Sequence, residues 1–240
     1  MKTCRIASLS LLLLLNALLL WAGDPWKERP WPEWTQKDVD KVLQDSPWAQ
    51  GYLKAKESQP EFDPSLSAQQ RENQRSVQVT DAYFTVVWES ARTVKEAQAR
   101  LSQLQTTGPE EGDDWELAIP QDHVIWVAGY VYEGRYLTEL TDFQRLGEEE
   151  KRKGELLELK QSKKKVFPLK VDMKFGQTAA GGGRVGRYVD ARFYFPREVD
   201  GQPLLGPGEK KVTFRWLLER LPVTGDFDLR KMVRDGKPDL

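Results

Sequence analysis

Thiols and imidazoles are almost missing from this chain: its 240 residues include one cysteine, Cys4, and one histidine, His123. Cys4 sits in the opening MKTCR, ahead of the apolar run IASLSLLLLLNALLLWAG. Beyond it there is no thiol, which excludes disulfides, thiolate metal sites and cysteine nucleophiles together. A zinc hydrolase draws on two or three histidines, and neither HExxH nor GxSxG occurs. No stretch after residue 22 is apolar enough to cross a membrane. An excess of one charge is lacking too. Without Lys2 and Arg5 the 36 basic residues fall to 34 against 37 acidic ones, a net charge of −3. That balance gives nucleic acid no electrostatic hold.

What is present at the start reads as an export signal. A short basic region followed by a leucine-rich core predicts a secretory signal peptide over residues 1–22, cleaved after Ala22. The alternative is retention as an anchor, since the run from Ile6 to Ala22 just spans a thin bilayer. Gly23 and Asp24 stand where a lipoprotein carries its cysteine, so lipid anchoring is not expected. The expected location is periplasmic or extracellular. The roughly 218 residues beyond the signal are enough to bury a hydrophobic core.

Tryptophan is plentiful, with nine in the chain, and RPWPEWTQKDVDKVLQDSPWAQ (29–50) holds Trp31, Trp34 and Trp48. Thr35 with Asp38 forms a capping-box pattern, and Trp34 is placed to staple against Val39. Val39, Val42 and Leu43 make a narrow apolar stripe. Ser46-Pro47 ends this helix and opens a second one, with Trp48, Tyr52 and Leu53 on its apolar side. Residues 54–75 have linker composition. In VQVTDAYFTVVW, Ala82, Phe84, Val86 and Trp88 alternate onto one strand face. Thr93 and Glu96 form a second capping-box pattern, for a helix running to Leu104. HVIWVAGYVY is apolar on both faces and predicts an interior strand. A helix follows over 141–153, with Thr141 and Gln144 as its cap.

The last third alternates apolar and polar residues in three runs, around Val171, Val189–Phe195 and Val212–Trp216, as an antiparallel sheet does. Asp235-Gly236 is a tight-turn signal. The whole predicts an α+β fold: a mostly antiparallel or mixed sheet with a βαβ-like first half, and a Trp-rich N-terminal helical segment packed on it. The expected division is a signal peptide (1–22), a Trp-rich helical segment with a polar linker (23–75) and an α+β domain (76–240).

WPEWTQKDVDKVLQDSPWAQ, then VVWESARTVKEAQAR, then FYFPRE…KKVTF…FDLRKMVRDGKPDL resemble, in that order, an uncharacterised family of secreted proteins from soil bacteria. The resemblance spans nearly the whole chain beyond the signal. It implies export and one shared architecture, and it carries no reaction, cofactor or catalytic residue.

Several motifs invite chemistry. Gly181-Gly182-Gly183-Arg184-Val185-Gly186 matches G-x-G-x-x-G, but strand patterns flank it on both sides, so no helix N-terminus would meet a phosphate. Residues 177–186 therefore read as a mobile, dispensable hairpin loop. Asp113, Asp114, Asp122 and His123 offer metal-ligand types at a spacing that matches no calcium loop, which reads as a solvated acidic turn. Lys160, Lys163, Lys164 and Lys165, near five glutamates, read as a solvated charged face. These features favour an exported, non-enzymatic protein that binds or scaffolds in the cell envelope, without a cofactor. Its partner would be an envelope protein or a polysaccharide, and a membrane only if the signal segment is retained. The alternative is a carbohydrate-binding or carboxylate-based carbohydrate-active protein, with Trp31, Trp34 and Trp48 as its stacking platform. Against that platform stands the need of an isolated helix for a partner surface, which would use the tryptophans as a bolt.

Overall fold

The structure is a computed structural model, and it describes residues 23–56, 65, 67, 69, 81–105, 120–132, 141–180, 184–217 and 222–240. The expected signal peptide, most of the linker and the acidic turn with Asp113 and Asp114 lie outside the described residues. In chain order the elements begin with α1 (Pro25–Glu28), a 3-10 turn (Trp31–Glu33), α2 (Gln36–Gln44), β1 (Ala49–Lys56), β2 (Asp81–Trp88) and α3 (Arg92–Gln105). Next come β3 (His123–Tyr132), α4 (141–145), α5 (Glu148–Lys153), β4 (Glu155–Leu159), β5 (Lys165–Val166), β6 (Lys170–Ala180) and β7 (Arg184–Phe195). The chain closes with β8 (Glu198–Val199), β9 (Gln202–Pro203), β10 (Lys211–Leu217), β11 (Pro222–Asp228), β12 (Val233–Arg234) and β13 (Lys237–Pro238). The fold is α+β, and its sheets are antiparallel.

Five strands form one sheet in the order β1-β2-β3-β7-β6, and four form a second in the order β11-β10-β4-β5. Their inner faces meet in an aromatic core. Phe193 lies 5.0 Å from Phe214 and 5.4 Å from Trp216, and Trp88 lies 5.2 Å from Phe227, ring centre to ring centre. Ala82, Phe84, Val86 and Trp88, the face read from the alternation, are all buried there. β3 is the central strand of its sheet, as a strand apolar on both faces should be. Opposite Phe84 in the ladder stands Gly129, and the Phe84 ring lies where a side chain at 129 would be: a Cβ there would come 2.4 Å from Phe84 Cδ1.

The N-terminal segment packs on the other face of the first sheet, beside α3. Its capping box is formed: Asp38 N donates to Thr35 Oγ1 at 3.3 Å, and Thr35 N donates to Asp38 Oδ2 at 2.9 Å. Val39 and Val42 are fully buried. The second helix expected after Pro47 does not form. The chain instead enters β1, which pairs antiparallel with β2 from Ala49↔Val87 to Lys56↔Asp81. The first sheet thus takes an edge strand from the segment before residue 76, because pairing with β2 satisfies backbone groups that one more short helix would leave at its ends.

Four further expectations are corrected. The Thr93–Glu96 box is not the cap of α3: the Glu96 carboxylate takes Arg92 Nε at 2.9 Å and Arg234 Nη1 instead. The helix over 141–153 is two, broken at Leu146-Gly147, where Glu150 accepts the Gly147 amide at 3.2 Å. The strand–helix–strand order of the first half is present, yet β2 and β3 pair antiparallel, so it is not a parallel crossover. The glycine-rich stretch is mostly paired strand as well. The β6–β7 ladder continues through Gln177↔Arg187 to Ala180↔Arg184, and only 181–183 lie outside the described residues. Strand pairing satisfies the backbone on both sides of the glycines, so the G-x-G-x-x-G letters belong to a hairpin.

Candidate functional site

Helix α2 packs on the outer face of the first sheet over β1 and β2, with α3 beside it. The register lays out what remains in rows across the strands. One row runs Tyr83–Tyr130–Tyr188–Gly176, the next Thr85–Ala128–Asp190–Lys174, and the next Val87–Trp126–Arg192–Asp172. Three tyrosines therefore stand side by side on neighbouring strands. Tyr130 and Tyr188 are 46% and 40% exposed. The Tyr188 ring reaches over β6, where a Cβ at Gly176 would meet it at 1.7 Å. Only glycine leaves the ring that path.

Between Trp126 and Tyr130 the small side chain of Ala128 leaves a depression. It forms the floor of a cleft of about 330 Å³, near the lower end of the range for small-ligand sites. Tyr83, Thr85 and Val87 border the floor on the sheet, while Asp40, Leu43 and Gln44 of α2 and Leu101 of α3 make the wall. Strand rise separates the two flanking rings, Trp126 and Tyr130, by about 13 Å along β3.

Trp126 is fixed from the side away from the cleft. Its indole N–H donates to Asp190 Oδ1 at 2.7 Å, and the Arg192 guanidinium lies 5.5 Å from its ring centre. Arg192 also grips Asp190 at 2.5 Å and Glu89 at 2.8 and 3.2 Å. Gln98 and Lys95 of α3 close on the same Glu89 carboxylate at 3.0 and 3.6 Å. Burial alone would lower the Arg192 guanidinium, but Glu89 and Asp190 more than offset it and hold it above the usual arginine range. Next to it, burial first and the hydrogen-bonded Asp172 second push the Tyr194 phenol up to about 12. Chains of such contacts hold an aromatic ring in one pose, which is what a binding surface needs.

The residues read from sequence as sites fall elsewhere. Trp34 and Trp48 are fully buried, and Trp31 is half-buried against the same core. Trp34 Nε1 donates to the Arg29 carbonyl at 3.2 Å, and Trp48 Nε1 to the Asp239 carbonyl at 2.8 Å. Neither Trp34 nor Trp48 offers a face to a ligand. His123 is buried at the start of β3, 5.5 Å from the Trp88 ring. Burial, and then the Arg197 charge, pull its imidazole down to about 3, so it stays neutral at ordinary pH. Asp122 is half-exposed beside it, and Asp113 and Asp114 lie outside the described residues. Among the described residues no group of three or more His, Cys, Asp or Glu is arranged to hold a metal ion.

A second concavity, about 470 Å³, lies at the start of α3 among Arg92, Arg197, Arg234 and Lys237. Its arginines are engaged by Glu96, by the Pro120 carbonyl and by the Leu240 carbonyl. Its charges serve the fold. The aromatic cleft is therefore the stronger site. Sequence reasoning missed Trp126 and Tyr130 because an interior strand apolar on both faces reads as covered on both. The available signal was the large-small-large spacing Trp126–Ala128–Tyr130. Comparisons with protein-family models, with curated proteins and with solved structures find no match.

Proposed function

We propose that the protein is an exported, non-enzymatic binding protein that seats a carbohydrate chain in the aromatic cleft on the outer face of its five-stranded sheet. The observation that carries this reading is the pair Trp126 and Tyr130, set on a rigid central strand either side of Ala128, with Asp40, Gln44 and Thr85 beside them. Sugar rings lay their C–H faces on aromatic rings and turn their hydroxyls to flanking polar groups, and this cleft supplies both. Its length along β3 suits an oligosaccharide better than one sugar.

Two features favour binding over hydrolysis. A carboxylate-based hydrolase needs two carboxyl groups flanking the scissile bond. Among the described residues Asp40 is the one carboxylate in the cleft lining, while Asp190 and Glu89 are held by Arg192 on the far side of Trp126.

Affinity electrophoresis of the protein through gels carrying bacterial and plant polysaccharides tests the reading. Retardation by at least one polysaccharide is expected, with Trp126→Ala and Tyr130→Ala each lowering affinity by roughly tenfold. The core variant Trp34→Ala should bind as the parent wherever it remains folded. Binding untouched by Trp126→Ala would overturn the assignment.

A further inference from the structure

The passage from β5 to β6 crosses from the edge of the second sheet to the edge of the first. It carries the sequence KKKVFPLK, Lys163–Lys170. Burial alternates strictly along it: Lys165 exposed, Val166 buried, Phe167 exposed, Pro168 buried, Leu169 exposed. Phe167 and Leu169 are 51% and 52% exposed, the two most exposed large apolar side chains among the described residues. Buried Val166 and Pro168 pin the crossover from beneath. The Leu169 amide donates to the Tyr194 carbonyl at 2.7 Å, and Arg152 Nη1 donates to the Leu169 carbonyl at 3.2 Å. Apolar residues held outward on an anchored backbone are not explained by the core.

Beside them stand three lysines, Lys163, Lys164 and Lys165, all exposed. Among the described residues none of the three makes an ion pair. Glu158, opposite Lys165 in the ladder, is taken by Lys160 at 3.4 Å and Arg215 at 3.3 Å. Glu209 is occupied with the Gln161 and Ser162 amides at 3.2 and 2.8 Å. Lys170 is paired with Asp172. On α5, Glu148 and Glu149 pair with Lys151 and Lys153. Of the five glutamates that the sequence sets near these lysines, Glu148, Glu149, Glu150 and Glu158 are thus engaged elsewhere, and Glu155 is fully buried. A protein of near-zero net charge carries here a local surplus of positive charge next to two exposed apolar groups.

We propose that this crossover docks the protein on an anionic lipid bilayer, with Phe167 and Leu169 entering the interfacial layer and Lys163, Lys164 and Lys165 meeting the headgroups. Shallow apolar insertion combined with nearby lysines is the chemistry by which a protein lies on a membrane. Two side chains are too little for a stable protein interface, which takes about 800 Å² from each partner. The charge complementarity and the paired outward apolar groups fit a headgroup layer.

Flotation with vesicles tests this, using the protein purified from cells that export it, with its N-terminus set by intact mass. Parent, Phe167→Ser/Leu169→Ser and Lys163→Gln/Lys164→Gln/Lys165→Gln are compared on phosphatidylcholine vesicles with and without phosphatidylglycerol. The parent should float only with the anionic vesicles, and about 0.5 M salt should release it. The apolar pair should weaken binding by roughly tenfold or more. The lysine triple should weaken it by roughly a hundredfold. Equal flotation of all three proteins would overturn the proposal and assign any binding to the leader. So would capture by a soluble polyanion that the apolar pair leaves unchanged, which marks a polyanion site. No flotation of the parent overturns it outright.

Discussion

The Asp239 carboxylate accepts the hydroxyl proton of Thr93 at 2.6 Å, across 146 residues of sequence. The same carboxylate takes the backbone N–H groups of Arg92 at 2.7 Å and Thr93 at 3.1 Å. A residue at the far end of the chain thereby caps the first turn of α3, where free N–H groups and the helix dipole favour an anion. Its own carbonyl receives the Trp48 indole N–H at 2.8 Å. One buried residue joins the N-terminal segment, the main helix and the C-terminal strand.

Asp239→Ala should therefore cost more than an ordinary cap. Loss of a cap costs about 0.5–2 kcal/mol, and buried donors left without a partner add about 1–3. A lowering of the melting temperature by roughly 5–10 °C is expected in calorimetry. Asp239→Asn, which keeps one acceptor oxygen, should fall between the two. A melting temperature unchanged in Asp239→Ala would show that another group caps α3.

How legible this was follows from where the partners lie in sequence. The Thr35–Asp38 box, the alternation of Ala82 to Trp88 and the Asp235-Gly236 turn were readable because each is local. At that turn both residues take positive φ, 50° and 74°, as a two-residue hairpin requires. The cap of α3 was misread because Thr93 and Glu96 fit a local rule while a distant carboxylate was placed to win. β1 was misread as helix because its identity depends on pairing with β2, a long-range term that overrides local pattern. The aromatic cleft was invisible for the same reason: its wall comes from α2 and its floor from β3.

Trp34→Ala and Trp48→Ala should each destabilise the fold by about 3–5 kcal/mol, since both side chains are fully buried. Trp48 also stacks edge-on with Trp26 at 5.3 Å. Trp126→Ala removes a half-buried ring and should cost about 1–2 kcal/mol. Denaturant unfolding of the three variants should rank them in that order. A Trp126 variant as unstable as the Trp34 variant would mean that the outer ring is core rather than binding surface.

The pH dependence of stability should be a flat-topped dome built by two buried groups. Glu155 is fully buried with neither carboxylate oxygen hydrogen-bonded, and burial pushes it from 4.5 up to about 8. The neighbouring amides of Glu155 and Gly154 pull the other way without offsetting it. Between those values the folded state keeps a proton that the unfolded state has released, so stability falls as pH rises from about 4.5 to about 8. His123 acts with the opposite sign. Its folded state refuses a proton down to about 3 that the unfolded state accepts at 6.5, so stability rises with pH over that window. The two slopes cancel where they overlap, between about 4.5 and 6.5. Glu155→Gln should remove the alkaline decline, and His123→Asn should make that decline begin near pH 4.5 instead of near 6.5. Urea midpoints measured from pH 4 to 9 check both, and a parent curve still rising at pH 8 would contradict the Glu155 assignment.

Two glycines separate fold from site. At Gly129 a Cβ would lie 2.3 Å from the Tyr83 carbonyl oxygen, which is backbone, and 2.4 Å from the Phe84 ring. At Gly176 the atoms nearest to a Cβ all belong to Tyr188, an exposed side chain that can swing aside. Gly129→Ala must push β2 away from β3 beside the Tyr83–Tyr130 pair and should cost about 1–3 kcal/mol. Gly176→Ala should cost under about 1 kcal/mol, yet it turns Tyr188 out of the row of tyrosines. If the ligand chain runs from the cleft along that row, Gly176→Ala will weaken binding to long oligosaccharides and leave binding to short ones unchanged. Gel retardation with a graded oligosaccharide series reads this directly. Equal weakening for every length would place Tyr188 inside the cleft's own contacts instead of on its extension.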